Sequence, residues 1–209
     1  MLEGIDTSSW QGNVSWAKVK ASGITFAFIK ATEGIKYVNP RFKHDWAETK
    51  SQGIVRGAYH FFDPTQPAAL QAKHFLSTLQ AAGAGDLPAV LDLEGNKWTP
   101  IAPHQRMDMV LTWLRMVEEE LGTKPILYLG FYFARDVLQS AKYSELSSYP
   151  LWIAHYTSKP NPLIPPPWSK WTFWQFSDKG QIPGVSGNVD VNRFRGALGD
   201  LVALSKPKA

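Results

Sequence analysis

The sequence predicts an α/β fold, an irregular TIM-like barrel of eight strands and five helices in which the last three strands lack covering helices. Three observations carry this expectation. Short apolar runs alternate with amphipathic helical stretches through the first two thirds of the chain, the pattern of a parallel sheet with helices packed over it. Polar residues recur at the ends of those apolar runs, where a β/α barrel gathers its chemistry. The last third keeps the strands but fills the connectors at residues 159–169 and 177–187 with Pro and Gly, without helical period. An open doubly wound sheet fits these features less well.

Taken in order, residues 4–8 form a first strand ending in polar residues, and Ser15 caps a brief helix that runs through Val19 and stops at Gly23. Residues 25–32 are a second strand, apolar until Lys30. Asn39 and Pro40 then start a helix with Phe42 and Trp46 on one face and Gly53 at its end. A third strand covers 55–62, and Pro67 opens a third helix carrying Leu70, Phe75, Leu76 and Leu79. Residues 87–94 form the fourth strand. A fourth helix spans 103–121, with Val110, Leu111, Leu114, Val117 and Leu121 as its apolar stripe and Gly122 as its stop. The fifth strand is 126–130, a weaker fifth helix covers 133–140, and strands follow at 150–156, 171–176 and 188–191.

The chain has 209 residues, 44% of them hydrophobic and 19% charged, which suits one domain over 1–209 with a core of about 4–205. A net charge of +4 is spread over scattered Lys and Arg, so no nucleic-acid footprint is expected, although an anionic polymer such as a cell wall is compatible. No stretch approaches a membrane span, and a monomer is expected. The absence of Cys excludes disulfides and thiolate metal sites. Nine Trp suit both a large core and a sugar-binding cleft.

The most informative stretch is 87–94, an apolar run that ends in Asp92 and Glu94 before Gly95 and Asn96. Strand alternation sends both acids to one face with Val90, about 7 Å apart along the strand. Like charges held that close keep one proton between them. That arrangement serves glycosidic bond cleavage, where one acid protonates the leaving oxygen and a second carboxylate answers the charge on the sugar. An acidic strand end that merely caps a turn reads equally well from this pattern alone. Strand ends supply the other candidates: Asp6, Lys30, Glu33, Tyr59, His60, Tyr128, Trp152, Tyr156, Gln175 and Asp190. Barrel closure makes the eighth strand a neighbour of the first and sets Asp190 beside Asp6.

Bland readings stand beside these. Asp6 and Asp190 can cap turns, and single aromatics are more often core. His60 and His155 lack metal-ligand spacing, so no metal or cofactor is expected. Residues 184–187 are too short for a nucleophile elbow, and the glycines at 83 and 85 precede a strand, which is not the dinucleotide pattern.

Seven motifs together resemble glycoside hydrolase family 25, the N-acetylmuramidases of bacterial and phage type. They are residues 4–12 (GIDTSSWQG), 28–34 (FIKATEG), 56–61 (RGAYHF), 91–94 (LDLE), 152–156 (WIAHY), 171–176 (WTFWQF) and 189–192 (VDVN). The resemblance runs from about Gly4 to Phe194. It implies a modified barrel of eight strands and five helices and hydrolysis of the β-1,4 bond between N-acetylmuramic acid and N-acetylglucosamine in peptidoglycan. It further implies Glu94 as general acid, Asp92 as partner carboxylate, and Asp6 and Asp190 as the remaining acids. By the same resemblance Tyr59, Trp152 and Tyr156 fall where the family lines its sugar-binding groove; with the strand-end residues Lys30, Glu33, Tyr128 and Gln175 they are the substrate-binding candidates, and glycan strands the expected partner. Because the chain shows no signal peptide, action on a cell wall calls for release by lysis, by a phage holin, or from a trimmed precursor. The rivals are a non-catalytic wall-binding protein and a chitin-type N-acetylglucosaminidase.

Overall fold

The computed structural model describes residues 1–204 and closes eight strands into a barrel. In chain order the strands are β1 (Leu2–Thr7), β2 (Phe26–Glu33), β3 (Tyr37–Val38), β4 (Val55–Phe61), β5 (Val90–Leu93), β6 (Ile126–Gly130), β7 (Leu151–Ala154), β8 (Phe173–Gly180) and β9 (Val189–Phe194). Around the barrel the order is β1, β2, β4, β5, β6, β7, β8, β9 and back to β1. β3 lies outside as the short second arm of a hairpin on β2. Helices α1 (Trp16–Ala21), α2 (Phe42–Ser51), α3 (Ala68–Ala82) and α4 (Pro103–Leu121) follow the early strands, and α5 (Leu198–Ala203) follows the last.

The fold class agrees with the sequence reading, with instructive differences in detail. β9 runs antiparallel to both β8 and β1, so the sheet is mixed where a parallel one was expected. The cause is the connector: β8 extends to Gly180, leaving only residues 181–188 before β9, which suffices for a hairpin and not for a parallel crossover. The expected fifth helix is a π-helical turn, Phe133–Leu138, followed by 3₁₀ turns, and α5 was not anticipated. Residue 205, the expected end of the core, lies outside the described residues. Helix α2 begins at Phe42, because Asn39 forms a turn ahead of it: its carbonyl accepts the Phe42 N–H at 2.9 Å and its Oδ1 accepts the Arg41 N–H at 3.0 Å. Ser15 precedes α1 without a side-chain cap bond.

Side-chain alternation sorts the core into two layers. Ile5, Ala27, Ile29, Leu91, Leu93, Leu127 and Leu129 face outward under the helices, where they meet Trp46, Phe75, Val110, Trp113 and Leu114. Phe26, Phe28, Val90, Trp152, Phe173 and Phe194 point inward and fill the barrel. Phe28 stacks on Trp152 at 4.4 Å between ring centroids, and Phe173 sits 5.3 Å from Phe26 and 5.0 Å from Phe194. Two glycines make room for this plug. A Cβ on Gly4 would sit 2.4 Å from the Phe26 ring, and one on Gly57 2.5 Å from the Phe28 ring, each directly across the ladder from the ring it accommodates. The aromatic plug leaves polar side chains at the strand ends facing one open mouth.

Candidate active site

The mouth is a cleft of about 300 Å³ whose walls include Asp6, Lys30, Tyr59, Asp92, Glu94, Tyr128, Trp152, Tyr156, Gln175 and Asp190. The structure therefore brings together the four sequence-predicted acids and all the binding candidates except Glu33, which borders a neighbouring hollow beside Tyr37. Asp6 and Asp190 are direct partners in the β1–β9 ladder. Because β9 is antiparallel, Asp190 reaches the mouth from the start of its strand rather than its end. Asp92 closes β5 on the inner face, and Glu94 follows the strand just before Gly95 turns the chain at φ 86°.

A bulge in β2 places Lys30 and Glu33. The register with β4 skips Ala31, so Lys30 points inward, Thr32 points outward, and Glu33 returns to the mouth side. Thr32 Oγ1 thus meets His60 Nδ1 at 2.7 Å in the outer layer, while Lys30 Nζ meets Glu33 Oε2 at 2.6 Å. The Lys30 ammonium also lies 4.5 Å from the Phe61 ring centroid. His60 is fully buried, bonded on its other nitrogen to Gln71 Oε1 at 3.1 Å and stacked on Trp113. It is a structural histidine. Burial holds its pKa down at about 3.

A hydrogen-bond chain binds the inner walls together. Asp6 Oδ2 accepts from Gln175 Nε2 at 2.9 Å and from Asn192 Nδ2 at 2.7 Å. Gln175 Oε1 accepts from Tyr128 at 2.9 Å and from Tyr156 at 2.8 Å, and Asn192 Oδ1 accepts from Trp152 Nε1 at 2.8 Å. One carboxylate oxygen is saturated by two amides, which leaves the other oxygen of Asp6 to deal with Asp190. Burial, and next the charge of Asp190, push the Asp6 pKa well up, while the carboxyl of Asp190 is raised chiefly by burial. Both shifts favour one proton shared within the pair.

The second pair behaves alike. Asp92 is buried, its Oδ1 has no hydrogen-bond partner, and desolvation followed by the Glu94 charge raises its pKa well above the ordinary value, with Lys30 opposing. Glu94 stands at the solvent edge, yet the protein around it removes enough water to raise its pKa, with Asp190 adding and Lys30 subtracting. Four acids against one cation make a site poised to give up a proton and to hold positive charge. Among the described residues no cluster suited to a metal ion occurs.

Thr7, Ser8, Trp10, Gln11 and Phe61 line the cleft without having been singled out as site members from the sequence, and Asn192, which bonds Asp6, also escaped notice. Asn192 was hidden because its partners, Asp6 and Trp152, are 186 and 40 residues away. Phe61 entered only as a residue of the third strand and of the 56–61 motif. Trp10 stands on a turn after β1, and the signal for that turn, Ser8 followed three residues later by Gln11, was present in the sequence.

Comparison with known proteins agrees with the fold. The family model described as glycosyl hydrolases family 25 matches residues 5–185. The chain is 42% identical to the uncharacterized protein YegX of Escherichia coli (strain K12), over 97% of this chain and 72% of that one. It is 34% identical to Lysozyme M1 of Streptomyces globisporus, over 100% of this chain and 72% of the other. The crystal structure of a bacterial lysozyme from Streptomyces coelicolor superposes with a TM-score of 0.88 at 32% identity, covering 98% of this chain and 96% of that one.

Proposed function

The chain belongs to glycosyl hydrolases family 25, a family of glycoside hydrolases, and from that premise we propose that it is a muramidase cutting the β-1,4 bond between N-acetylmuramic acid and N-acetylglucosamine in peptidoglycan. The observation that carries this reading is the convergence of two acid pairs on one cleft, with Glu94 the most exposed of the four carboxyls. An acid that must reach a bridging oxygen belongs at the accessible position. One that steadies a sugar substituent belongs deeper, as Asp92 does.

In the reaction we propose, the substrate's 2-acetamido N–H comes to the carboxyl of Asp92, which lines the cleft and whose Oδ1 has no hydrogen-bond partner among the described residues. A hydrogen bond to the charged form favours that form, so binding drives the proton of the pair onto Glu94. Glu94 then protonates the glycosidic oxygen as the C1–O bond breaks, and the acetamido oxygen closes on C1. The resulting ring cation lies against the Asp92 carboxylate. Glu94, now ionised, takes a proton from water as the water oxygen attacks C1 and the C1–O bond to the acetamido oxygen breaks, which returns the acetamido group, restores the acid and gives net retention. With one proton shared within the Asp6–Asp190 pair, one negative charge remains there, and Asp190 raises the Glu94 pKa toward working range. The whole chain is read as one catalytic domain that acts as a monomer on the cell wall.

Proton NMR of the first product tests the scheme. Retention gives the β-anomer before mutarotation, and a substrate lacking the acetyl group on the cleaved muramic acid is nearly inert. Initial formation of the α-anomer would make Asp92 a general base acting on water instead.

A further inference from the structure

We propose that Trp10, at the rim of the catalytic cleft, and Tyr37, on the hairpin fastened beside it, form a sugar-binding ledge that holds a remote N-acetylhexosamine ring of a glycan strand. The inference rests on the muramidase reading and extends it to a part of the chain that the chemistry does not use.

Trp10 is 91% exposed, although an indole is among the side chains that gain most from burial. It does not dangle. The turn that carries it is pinned at both ends, with the Trp10 N–H donated to Ser8 Oγ at 3.2 Å and the Ser8 N–H donated to Gln11 Oε1 at 2.8 Å. Ser9 Oγ, beside it, lies 3.1 Å from the Tyr37 hydroxyl, so the turn is fastened to the β2–β3 hairpin. Tyr37 is itself 40% exposed, and its backbone carbonyl accepts a bond from His74 Nε2 at 3.0 Å. The turn beneath Trp10 and the ring of Tyr37 are thus held before any ligand arrives, which lowers the ordering cost of binding.

The surroundings select the ligand. Trp10 borders the same cleft as the four acids, so a strand leaving the cleft on the β1 side passes over it. Its chain neighbours are Ser9, Gln11, Gly12 and Asn13, all at least partly exposed, so polar groups rim it along the chain. A flat indole rimmed by hydroxyl and amide groups matches a pyranose, which has an apolar C–H face and a polar edge. Covering one face of an indole removes on the order of 80 Å² of apolar surface, which corresponds to a tenfold or greater gain in affinity.

The test uses peptide-free glycan strands of graded length and binding calorimetry in the Glu94→Gln background, with the wild-type enzyme first assayed for cleavage of the same strands. Trp10→Ala is expected to bind short fragments like its parent and long strands at least tenfold more weakly, with Trp10→Tyr restoring most of the loss. Equal binding at all lengths, or equal weakening at all lengths, overturns the ledge. Wild-type enzyme that leaves the strands uncut overturns the muramidase reading itself, and the ledge with it.

Discussion

Replacing Asp92 by Asn should stabilise the protein at neutral pH while abolishing turnover. In the native cleft the Asp92 carboxylate faces the charge of Glu94, with Lys30 as the opposing cation, and its Oδ1 lacks a partner among the described residues. A like charge about 7 Å away costs about 2 kcal/mol at an effective dielectric constant near 20, and Lys30 returns part of this. Because folding raises this pKa above its ordinary 3.8, the folded state takes up the proton more readily than the unfolded chain. The favourable term is therefore fully present below pH 3.8 and is lost as pH rises through the folded-state value. By pH 7 that loss cannot exceed about 4 kcal/mol, the work of keeping one proton on a group of pKa 3.8. A gain of about 1–3 kcal/mol is expected for Asp92→Asn, or roughly 2–10 °C in Tm for a chain of this size. Scanning calorimetry at pH 7 and pH 3 reads it directly. The reasoning fails if the variant melts no higher than wild type at pH 7, or if the same difference persists at pH 3, where no charge remains to remove.

Three further outcomes follow from the same geometry. Asp6→Asn and Asp190→Asn should be non-additive in log kcat/KM by more than the equivalent of about 0.5 kcal/mol, because either change dissolves the shared proton; strict additivity in the double-mutant cycle excludes a coupled pair. His60, with its pKa depressed from 6.5 to about 3, stays neutral in the fold while the unfolded chain takes up a proton, so its contribution to stability falls as pH drops from 6.5 toward 3. The stability gap between wild type and His60→Gln should shrink by about 3 kcal/mol between pH 6.5 and pH 4 in urea titrations, and a constant gap contradicts the assignment. Glu94→Gln should lose turnover on glycan strands by at least a hundredfold while still binding them, as measured by reducing-end release and calorimetry; retained turnover removes Glu94 from the acid role.

Much of the barrel was legible because its strands are apolar and its early helices carry stop signals, as with Gly122, which adopts a left-handed φ of 67° at the end of α4. The meeting of Asp6 and Asp190 could be inferred from closure alone. The polarity of β9 was missed although the cue was present: a connector with no helix and too few residues for a crossover dictates a hairpin. The β2 bulge that turns Glu33 toward Lys30 has no sequence signature beyond Ala31, a residue that fits any strand. The Gln175 and Asn192 amides were opaque for a different reason. Each chooses its partner only after the barrel has closed, across 169 and 186 residues, and no local pattern encodes that choice. Trp10 shows the reverse case, in which the turn is legible and the exposure of its ring is not.

The central claim, that this cleft cuts on the muramic acid side, is tested most directly by digesting purified peptidoglycan, reducing the products with borohydride and identifying the reduced sugar by mass. The account predicts reduced N-acetylmuramic acid at every new end. Reduced N-acetylglucosamine, or released peptides with no new reducing ends, would contradict it.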